Sequence, residues 1–575
     1  MKTVLTGKAS VDRPWLEYYP GFSKDTEVPK LTVEEFLKMK NPDFSRLCLE
    51  YYGKKYTYDW LWEQVDAAAK ALKAVGFQEG DRIPVFVQAI PAHYILLLAA
   101  ERIGAAILCR DDTPTELCFA IRKTTTDVIF VQDYLSKEDE ELMRSTTQAK
   151  RIVKISPYDY ADRTSMPDYV VAEIASHYNV EREQVEGDMN WQEFLKLGED
   201  YTGDYYAPKD SDRPVFGAYT SGSTGVSKLV IHSSANIVAV AYQMSVFVPP
   251  SPVQEKWWLP ILTPALIAAT VSMTIFPLSA GLYVILDPFC PLEDIDIQFM
   301  KYQPNFWALI PMFCEILMKS TRIPEDYDMS HLRSIGTGAE PMNEKKSREV
   351  EEFFHKHNCM APLSAGYGQS EGCSNFTLPS PMVPLTDGCV GMPMPATTLA
   401  VFDPETLEEK SYGEIGELCM DGPAKMLHYG GFSAGSLTER TLVAHPDGNR
   451  WLHTGDMGYI TENGVVYVLG RGDVHRYGGG TLYMMRMESR IVEAPGVKDG
   501  FFCFIPDREH EGYYVPYLFV ILEKGRQIED VREGILNTLQ PYEYPVEIRE
   551  LQERPYFHFK TNRKELTAAI LAETA

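Results

Sequence analysis

The amino-acid sequence predicts an α/β protein with a large N-terminal domain, made of layered α/β subdomains plus a β-rich subdomain, and a small, mobile α+β C-terminal domain. Apolar runs typical of strands alternate with helical patterns from about residue 55 to 345. Between about 385 and 470 the pattern changes to short strands separated by Gly and Pro. From Arg471 a glycine-rich segment, RGDVHRYGGG, leads into roughly a hundred residues that carry strands and a helix of their own.

The individual elements follow from these patterns. In the first region the predicted strands are IPVFVQ, AILC, DVIFV, VFGAYT, LYVIL and FWALI, and AHYILLLAAERIG has a helical pattern. Such alternation favours mostly parallel sheets. In the second region MGYITENGVVYVLGR predicts a hairpin that turns at Asn463-Gly464. In the third, FFCFI and YLFVIL predict strands and IEDVREGILNTL predicts a helix. The expected domains are therefore residues 1–471, with the β-rich part at about 385–470, and residues 472–575.

The composition excludes several classes of protein. A chain of 575 residues, 45% hydrophobic and 24% charged, is too long for one core and too apolar for disorder. Its 81 acidic and 55 basic residues give a formal charge of −26, which disfavours nucleic acid as a partner. The ten cysteines form no Cys-x-x-Cys pair and the N-terminus lacks a signal-peptide pattern, so reduced thiols and a cytoplasmic location are expected. The sequence leaves the oligomeric state open.

One long uncharged segment raises the question of a membrane span. From Trp257 to Leu286 thirty residues carry no charge, which is enough to cross a bilayer as a helix. Pro260, Pro264 and Pro277 interrupt the segment, and LYVIL at its end is typical of a buried strand. We therefore expect a buried helix followed by a core strand, and no integral association with a membrane.

The clearest functional motif is YTSGSTGVSK, from Tyr219 to Lys228, directly after the predicted strand VFGAY. Glycines let backbone N–H groups approach an anion, the hydroxyl groups add donors, and the lysine adds positive charge. These features suit a polyphosphate ligand. The motif is not a Walker A loop, because no lysine follows a glycine at the spacing which that loop requires.

This segment resembles the phosphate loop of the adenylate-forming superfamily, which includes acyl- and aryl-CoA synthetases, peptide-synthetase adenylation domains and firefly luciferase. Further segments resemble the superfamily's later motifs in the expected order, and the resemblance, closest to the acyl-CoA synthetases, covers roughly residues 50 to 570. These segments are TGAEP (Thr337–Pro341), GYGQSEG (Gly366–Gly372), GEIGEL (Gly413–Leu418), HTGDMGY (His453–Tyr459) and GRGD (Gly470–Asp473).

The resemblance implies ATP, Mg²⁺ and coenzyme A as ligands and assigns roles to single residues. Glu371 would hold Mg²⁺ and act in catalysis with Thr220, Tyr367 would stack on adenine, and Asp456 would accept the ribose hydroxyls, with Arg471 nearby. The implied ATP site consists of Thr220, Ser221, Gly222, Ser223, Thr224, Gly225, Lys228, Gly338, Ala339, Glu340, Pro341, Tyr367, Gly368, Gln369, Ser370, Asp456 and Arg471.

The C-terminal motifs depart further from the family pattern. Lys560, in FKTNRKEL, aligns with the catalytic lysine, but the glycine that usually precedes this lysine is missing and Lys564 remains an alternative. The hinge would lie at Asp473, and Gly479 and Gly480 would line a tunnel for the pantetheine of coenzyme A.

The resemblance also implies the reaction, which is ATP-dependent formation of an acyl-adenylate followed by transfer of the acyl group to a thiol. Coenzyme A is the expected thiol, and a carrier-protein phosphopantetheine, a luciferase-like activity or an inactive ATP-binding relative are the alternatives. The acid is expected to be apolar, because the segments that bound the acyl pocket in the family, here Trp257–Ala269, Pro311–Phe313, Gly336–Gly338 and Ser364–Gly366, carry no charge. Thr263, Gly338 and Gly366 are the expected substrate-binding residues, and in the first of these segments Leu262-Thr263 replaces an aromatic-His pair, which should widen the pocket.

Overall fold

The computed structural model describes residues 5–109, 127–133, 137–146, 149–178, 186–220, 228–248, 251–338, 340–379, 386–430, 434–471, 475–557 and 560–573. The strands, in chain order, are β1 Leu47–Tyr51, β2 Lys54–Thr57, β3 Arg82–Phe86, β4 Ala106–Cys109, β5 Val128–Gln132, β6 Arg151–Ile155, β7 Met189–Asn190, β8 Pro214–Tyr219, β9 Leu229–Ser233, β10 Lys256–Pro260, β11 Tyr283–Asp287, β12 Phe306–Leu309, β13 Ile335–Thr337, β14 Leu363–Ala365, β15 Thr377–Leu378, β16 Met392–Pro393, β17 Thr398–Phe402, β18 Gly416–Asp421, β19 His428–Tyr429, β20 Leu442–Ala444, β21 Arg450–Ile460, β22 Val466–Arg471, β23 His475–Tyr477, β24 Gly480–Leu482, β25 Val497–Pro506, β26 Tyr514–Leu522, β27 Glu547–Glu550, β28 Tyr556–Phe557 and β29 Lys560–Thr561.

The α-helices lie between these strands in all three regions. In chain order they are α1 Ala9–Asp12, α2 Val33–Lys40, α3 Tyr58–Ala74, α4 Pro91–Arg102, α5 Lys137–Thr146, α6 Asp168–Tyr178, α7 Trp191–Lys196, α8 Ser234–Met244, α9 Ile267–Thr270, α10 Phe276–Ser279, α11 Ile295–Tyr302, α12 Pro311–Lys319, α13 Glu344–Lys356, α14 Ala434–Thr441, α15 Met484–Ile491, α16 Ile528–Thr538 and α17 Arg563–Glu573.

Two large sheets form the framework of the N-terminal region. One has the strand order β14-β13-β12-β10-β11-β1-β2 and is parallel except for the β1–β2 hairpin. The other has the order β19-β9-β8-β4-β3-β5-β6-β7 and is antiparallel only where β9 pairs with β8 and with β19. Both are largely parallel, as predicted, because helical crossovers such as α4 connect successive strands.

The β-rich region is a separate antiparallel sheet of β17, β18, β21, β20 and β22. Its last two strands form the predicted hairpin, and Gly464 in the connection has a φ of +85°. The C-terminal strands β25, β26 and β27 form a small sheet that packs with helices around a core of its own, which includes Met487, Phe502 and Ile535. A large N-terminal domain and a smaller C-terminal domain of mixed α/β structure are thus confirmed.

The uncharged segment from Trp257 to Leu286 folds into several short elements. Strand β10 leads through α9, a π-helical turn at Val271–Ile275 and α10 into strand β11, and both strands lie side by side in the first sheet. Among the residues that the structure describes, no helix is long and apolar enough to cross a membrane.

A buried ion cluster ties the N-terminal segment to the second sheet. The Arg102 guanidinium, 3% exposed, donates to both oxygens of Glu34, at 2.7 and 3.0 Å, and lies 3.2 Å from Asp66. Removing one partner of such a group leaves charge that water cannot solvate.

We expect Glu34→Gln to lower the free energy of unfolding by about 3 kcal/mol, measured by chemical denaturation, because Arg102 then keeps only the more distant Asp66 as an ionic partner. Glu344→Gln serves as a control, since Glu344 pairs with Arg348 at 3.6 Å and both side chains are at least 40% exposed. That change should stay within about 0.5 kcal/mol of the unaltered protein. Equal effects of the two substitutions would contradict the assignment.

Candidate active site

The base of the predicted phosphate loop is closed by two hydrogen bonds between its ends. The Thr220 N–H donates to the Lys228 carbonyl at 2.9 Å, and the Lys228 N–H donates to the Thr220 hydroxyl at 3.0 Å. The antiparallel pairing of β8 and β9 brings these ends together. The expected binding residues Ser221, Gly222, Ser223, Thr224 and Gly225 lie outside the described residues, as does Ala339.

Glu371 lies next to this loop, in a 3-10 turn formed by Ser370–Gly372. Its carboxylate is buried, and Oε1 accepts a hydrogen bond of 2.7 Å from the Tyr429 hydroxyl. The Lys228 ammonium lies 5.3 Å from the centroid of the same Tyr429 ring. Burial and the nearby carboxylate raise the pKa of Tyr429, so its hydroxyl remains a donor. A cation and a carboxylate oxygen therefore both contact Tyr429 beside the loop, and these groups suit phosphate and Mg²⁺ respectively.

Two further contacts fix the turn that carries Glu371. His232 Nε2 lies 2.7 Å from the Ser370 carbonyl, and the Met426 N–H donates to the Glu371 carbonyl at 2.7 Å. Burial lowers the pKa of His232 to about 4, so the ring is neutral. A carbonyl can only accept, so Nε2 must carry the single ring proton. Both contacts are made to backbone carbonyls of the turn, so they fix the position of Glu371 without using its carboxylate oxygens.

Asp456 lies at the centre of a second cluster, at the junction with the β-rich sheet. Its Oδ2 accepts hydrogen bonds of 2.6 Å from both the Tyr367 hydroxyl and the Gln369 amide, and Arg471 is its cross-strand partner on β22. Burial raises the pKa of Asp456, and the Tyr367 hydroxyl and Arg471 oppose this shift. Tyr367 packs edge-on against Phe376 at 5.3 Å. Two residues expected to contact different parts of the nucleotide, Tyr367 and Asp456, are therefore hydrogen-bonded to each other.

Lys560 reaches this cluster from the C-terminal domain. It lies on β29, whose next residue, Thr561, donates its N–H to Glu340 Oε1 at 2.5 Å. Burial lowers the pKa of Lys560 from its ordinary value, the neighbouring Arg471 lowers it further, and Glu340 and Asp456 raise it in part. Lys564, the alternative, is exposed on helix α17. The charges of Asp456 and Glu340 therefore act on Lys560, whereas Lys564 is exposed.

The two glycines expected at the pantetheine tunnel lie in the β23–β24 hairpin. Gly479 has a φ of +86°, and a side chain at Gly480 would meet the Tyr542 ring at 2.2 Å. Gly480 therefore packs against Tyr542 of its own domain. The expected hinge residue, Asp473, lies outside the described residues.

Open space lies beside the strand ends that are expected to bound the acyl pocket. A Cβ at Gly336 would meet no atom within 4 Å, and the nearest atom to one at Gly338 is the Gly366 carbonyl at 3.4 Å. Next to Gly366 lies the Asn375 amide nitrogen, at 3.3 Å from a Cβ built there. Thr263 is buried, and its hydroxyl accepts a hydrogen bond from the backbone at Ala265.

Part of the expected pocket is filled core instead. Trp258 and Phe313 are fully buried and stack on Trp307, with ring centroids 4.8 and 5.8 Å from its own.

Sequence analysis missed three residues that lie at the candidate site, namely Tyr429, His232 and Asn375. Tyr429 reaches Glu371 only because β19 pairs with β9 across 200 residues of sequence, which no local pattern indicates.

Comparison with known proteins adds independent findings. A family model described as AMP-binding enzyme matches residues 38–430. A long-chain-fatty-acid–CoA ligase of Bacillus subtilis is 26% identical over 93% of this chain and 93% of its own length. The probable CoA ligase CCL5 of Humulus lupulus is 25% identical over 85% of this chain and 83% of its own length.

Solved structures share the fold. The ATP-bound MatB protein of Rhodopseudomonas palustris has a TM-score of 0.76 at 21% identity, over 95% of this chain and 99% of that one. The anthranilate CoA ligase AuaEII, solved in complex with anthranoyl-AMP, has a TM-score of 0.75 at 17% identity, over 97% and 100%.

Gly368 and Gly336 provide a matched test of the packing around this site. We expect Gly368→Ala to lower the free energy of unfolding by about 3 kcal/mol or more, because its Cβ would lie 1.6 Å from the Ser374 carbonyl oxygen, which is backbone and cannot rotate away. Gly336→Ala, with open space around its Cβ, should change stability by about 0.5 kcal/mol at most. Thermal and chemical denaturation of both variants measure the difference, and a stable Gly368→Ala variant would contradict the packing described here.

Proposed function

The chain belongs to the AMP-binding enzyme family, and on that premise we propose that it activates an apolar carboxylic acid with ATP and transfers the acyl group to coenzyme A. One observation carries the proposal. Lys560, on the C-terminal domain, lies beside Glu340, Asp456 and Arg471 of the N-terminal domain, where the motifs expected to bind ATP meet. The similarity to proteins named as CoA ligases supports the choice of coenzyme A as the acyl acceptor.

In the proposed first step a carboxylate oxygen of the acid attacks the α-phosphorus of ATP, and pyrophosphate leaves as the phosphoanhydride bond breaks. Two anions must approach each other, so the site needs concentrated positive charge. Lys560 and Arg471 supply it near the α-phosphate, and Lys228 supplies it at the loop that would hold the departing phosphates. Mg²⁺, with Glu371 as its protein ligand, would neutralise phosphate charge when bound.

In the proposed second step the thiolate of coenzyme A attacks the acyl carbonyl, and AMP leaves with the electrons of the acyl–phosphate bond. Gly479 and Gly480 would approach the site only after residues 472–575 rotate relative to residues 1–471 about a hinge at Asp473. Such a rotation would withdraw Lys560 and complete the thiol site. Buried cysteines such as Cys373, Cys389 and Cys419 are free thiols, which supports a reducing, cytoplasmic location for this chemistry.

The acid is proposed to be uncharged apart from its carboxylate and mainly apolar. A Cβ at Gly336 would meet no atom within 4 Å, a Cβ at Gly338 would lie near the Gly366 carbonyl, and neither Gly366 nor the Asn375 amide beside it carries a charge. A second charged group on the substrate would be buried there without an ionic partner, at a cost of several kcal/mol.

We expect Lys560→Ala to slow acyl-adenylate formation by about a hundredfold or more, because a preorganised charge at the reacting atoms is lost. Thioester formation from supplied acyl-adenylate should persist, because Lys560 acts only in the first step. Pyrophosphate release and acyl-CoA formation, measured separately, distinguish the half-reactions. Lys564→Ala is the control and should behave like the unaltered enzyme. If Lys564→Ala lost acyl-adenylate formation and Lys560→Ala did not, Lys564 would be the catalytic lysine.

The choice of acid substrate can be tested separately. A competition assay across acetate, octanoate, hexadecanoate, benzoates, steroid acids, dicarboxylates and amino acids, with pyrophosphate release as the readout, should show preference for a medium or long aliphatic chain or a bulky apolar ring system. A clear preference for acetate, a dicarboxylate or an amino acid would refute the apolar assignment. Pyrophosphate release without acyl-CoA formation would instead point to a carrier protein or to luciferase-like chemistry.

A further inference from the structure

A compact group of metal-ligating side chains lies in the β-rich sheet, separate from Glu371. Glu417 and Cys419 project from β18, and His453 projects from the neighbouring strand β21. One ligand atom from each of these three residues lies within 4.8 Å of the other two. Cys419 and His453 are direct cross-strand partners, and the register shifts between Glu417 and Cys419. The shift is a β-bulge, a feature that re-aims side chains.

These side chains are shielded from water. Cys419 is fully buried, and the Glu417 and His453 side chains are only 13% and 11% exposed. Glu417 Oε2 lies 2.8 Å from His453 Nδ1, and Glu417 Oε1 accepts the Gly455 N–H at 2.9 Å. A sulfur, a nitrogen and an oxygen donor thus converge in a mostly dry pocket. Thiolate, imidazole and carboxylate are the three kinds of donor that bind zinc in proteins.

A second histidine, His445, contacts the other ring nitrogen of His453. His445 Nε2 lies 2.8 Å from His453 Nε2, a distance at which one ring donates a hydrogen bond to the other. A histidine that binds a metal through one nitrogen usually donates its other N–H to such a partner, which fixes the orientation of the ring.

We propose that Glu417, Cys419 and His453 form a binding site for a zinc-class divalent ion, with His445 as the partner of the second imidazole nitrogen. On binding, the Cys419 thiol loses its proton to solvent, and the His453 ring, whose Nδ1–H donates to Glu417 in the absence of metal, gives up this proton and takes one on Nε2, towards His445, so that Nδ1 can ligate. The ion joins β18 to β21 at the bulge. Because Glu417 also holds Gly455, the residue before Asp456, the site is structural and stiffens the strand that carries Asp456.

The test uses the full-length protein, reduced and stripped of metal with a chelator, and titrated with Co²⁺ alone. We expect one equivalent to bind, with a sulfur-to-cobalt charge-transfer band in the near ultraviolet and intense visible bands typical of tetrahedral cobalt. One equivalent of Zn²⁺ should remove both signals. This measurement needs no variant, so a folding defect cannot obscure it. Absence of stoichiometric binding, or binding without a sulfur band, would overturn the proposal and leave a hydrogen-bonded histidine pair.

Variants assign the ligands. Cys419→Ser should lose the charge-transfer band, and His445→Gln should weaken binding by about 10 to 100-fold, as expected for loss of a supporting contact. Cys389→Ser is the matched control, because Cys389 is also a buried, unpaired cysteine but lies outside the cluster. Loss of the band in Cys389→Ser, or its retention in Cys419→Ser, would exclude the proposed ligand set. None of these readouts depends on the proposed acyl-CoA chemistry.

Discussion

The proposed reaction depends on two cations, Lys560 and Arg471, whose charges act on each other where the two domains meet. Burial and the charge of Arg471 both lower the pKa of Lys560 from its ordinary value. The carboxylates of Glu340 and Asp456 oppose this effect by favouring the charged ammonium. In the proposed reaction a polyphosphate would bring further negative charge to the same place. The site is thus electrostatically prepared for an anion in a chain whose formal charge is −26.

Much of the framework follows from local patterns. The predicted strands IPVFVQ, AILC, DVIFV and LYVIL correspond to β3, β4, β5 and β11, because fully buried parallel strands appear as continuous apolar runs. Helix α16 was predicted from IEDVREGILNTL, and the hairpin from Asn463-Gly464. These elements depend on residues that are close in sequence, and their prediction required no knowledge of long-range pairing.

The contacts that complete the candidate site depend on distant pairings and were not predictable in this way. Tyr429 meets Glu371, and Thr561 meets Glu340, across 58 and 221 positions. The segment WWLPILTPALIAA, residues 257–269, shows a second limit of prediction from local patterns. Apolar residues indicate burial but not which side of a sheet they cover, so the sequence could not separate Trp258, which stacks in the core, from residues that border open space.

The interface between the two domains also bears on the proposed rotation. The C-terminal domain has apolar clusters of its own, built from buried residues between 482 and 570. Several contacts across the interface are polar: Thr561 donates to Glu340, and the Lys345 ammonium donates to the carbonyls of Val492 and Val497. Water can replace such hydrogen bonds at little net cost, whereas an apolar core cannot be opened so readily. In the proposed reaction, a domain held in this way could place Lys560 precisely for the first step and still rotate away once that step is complete.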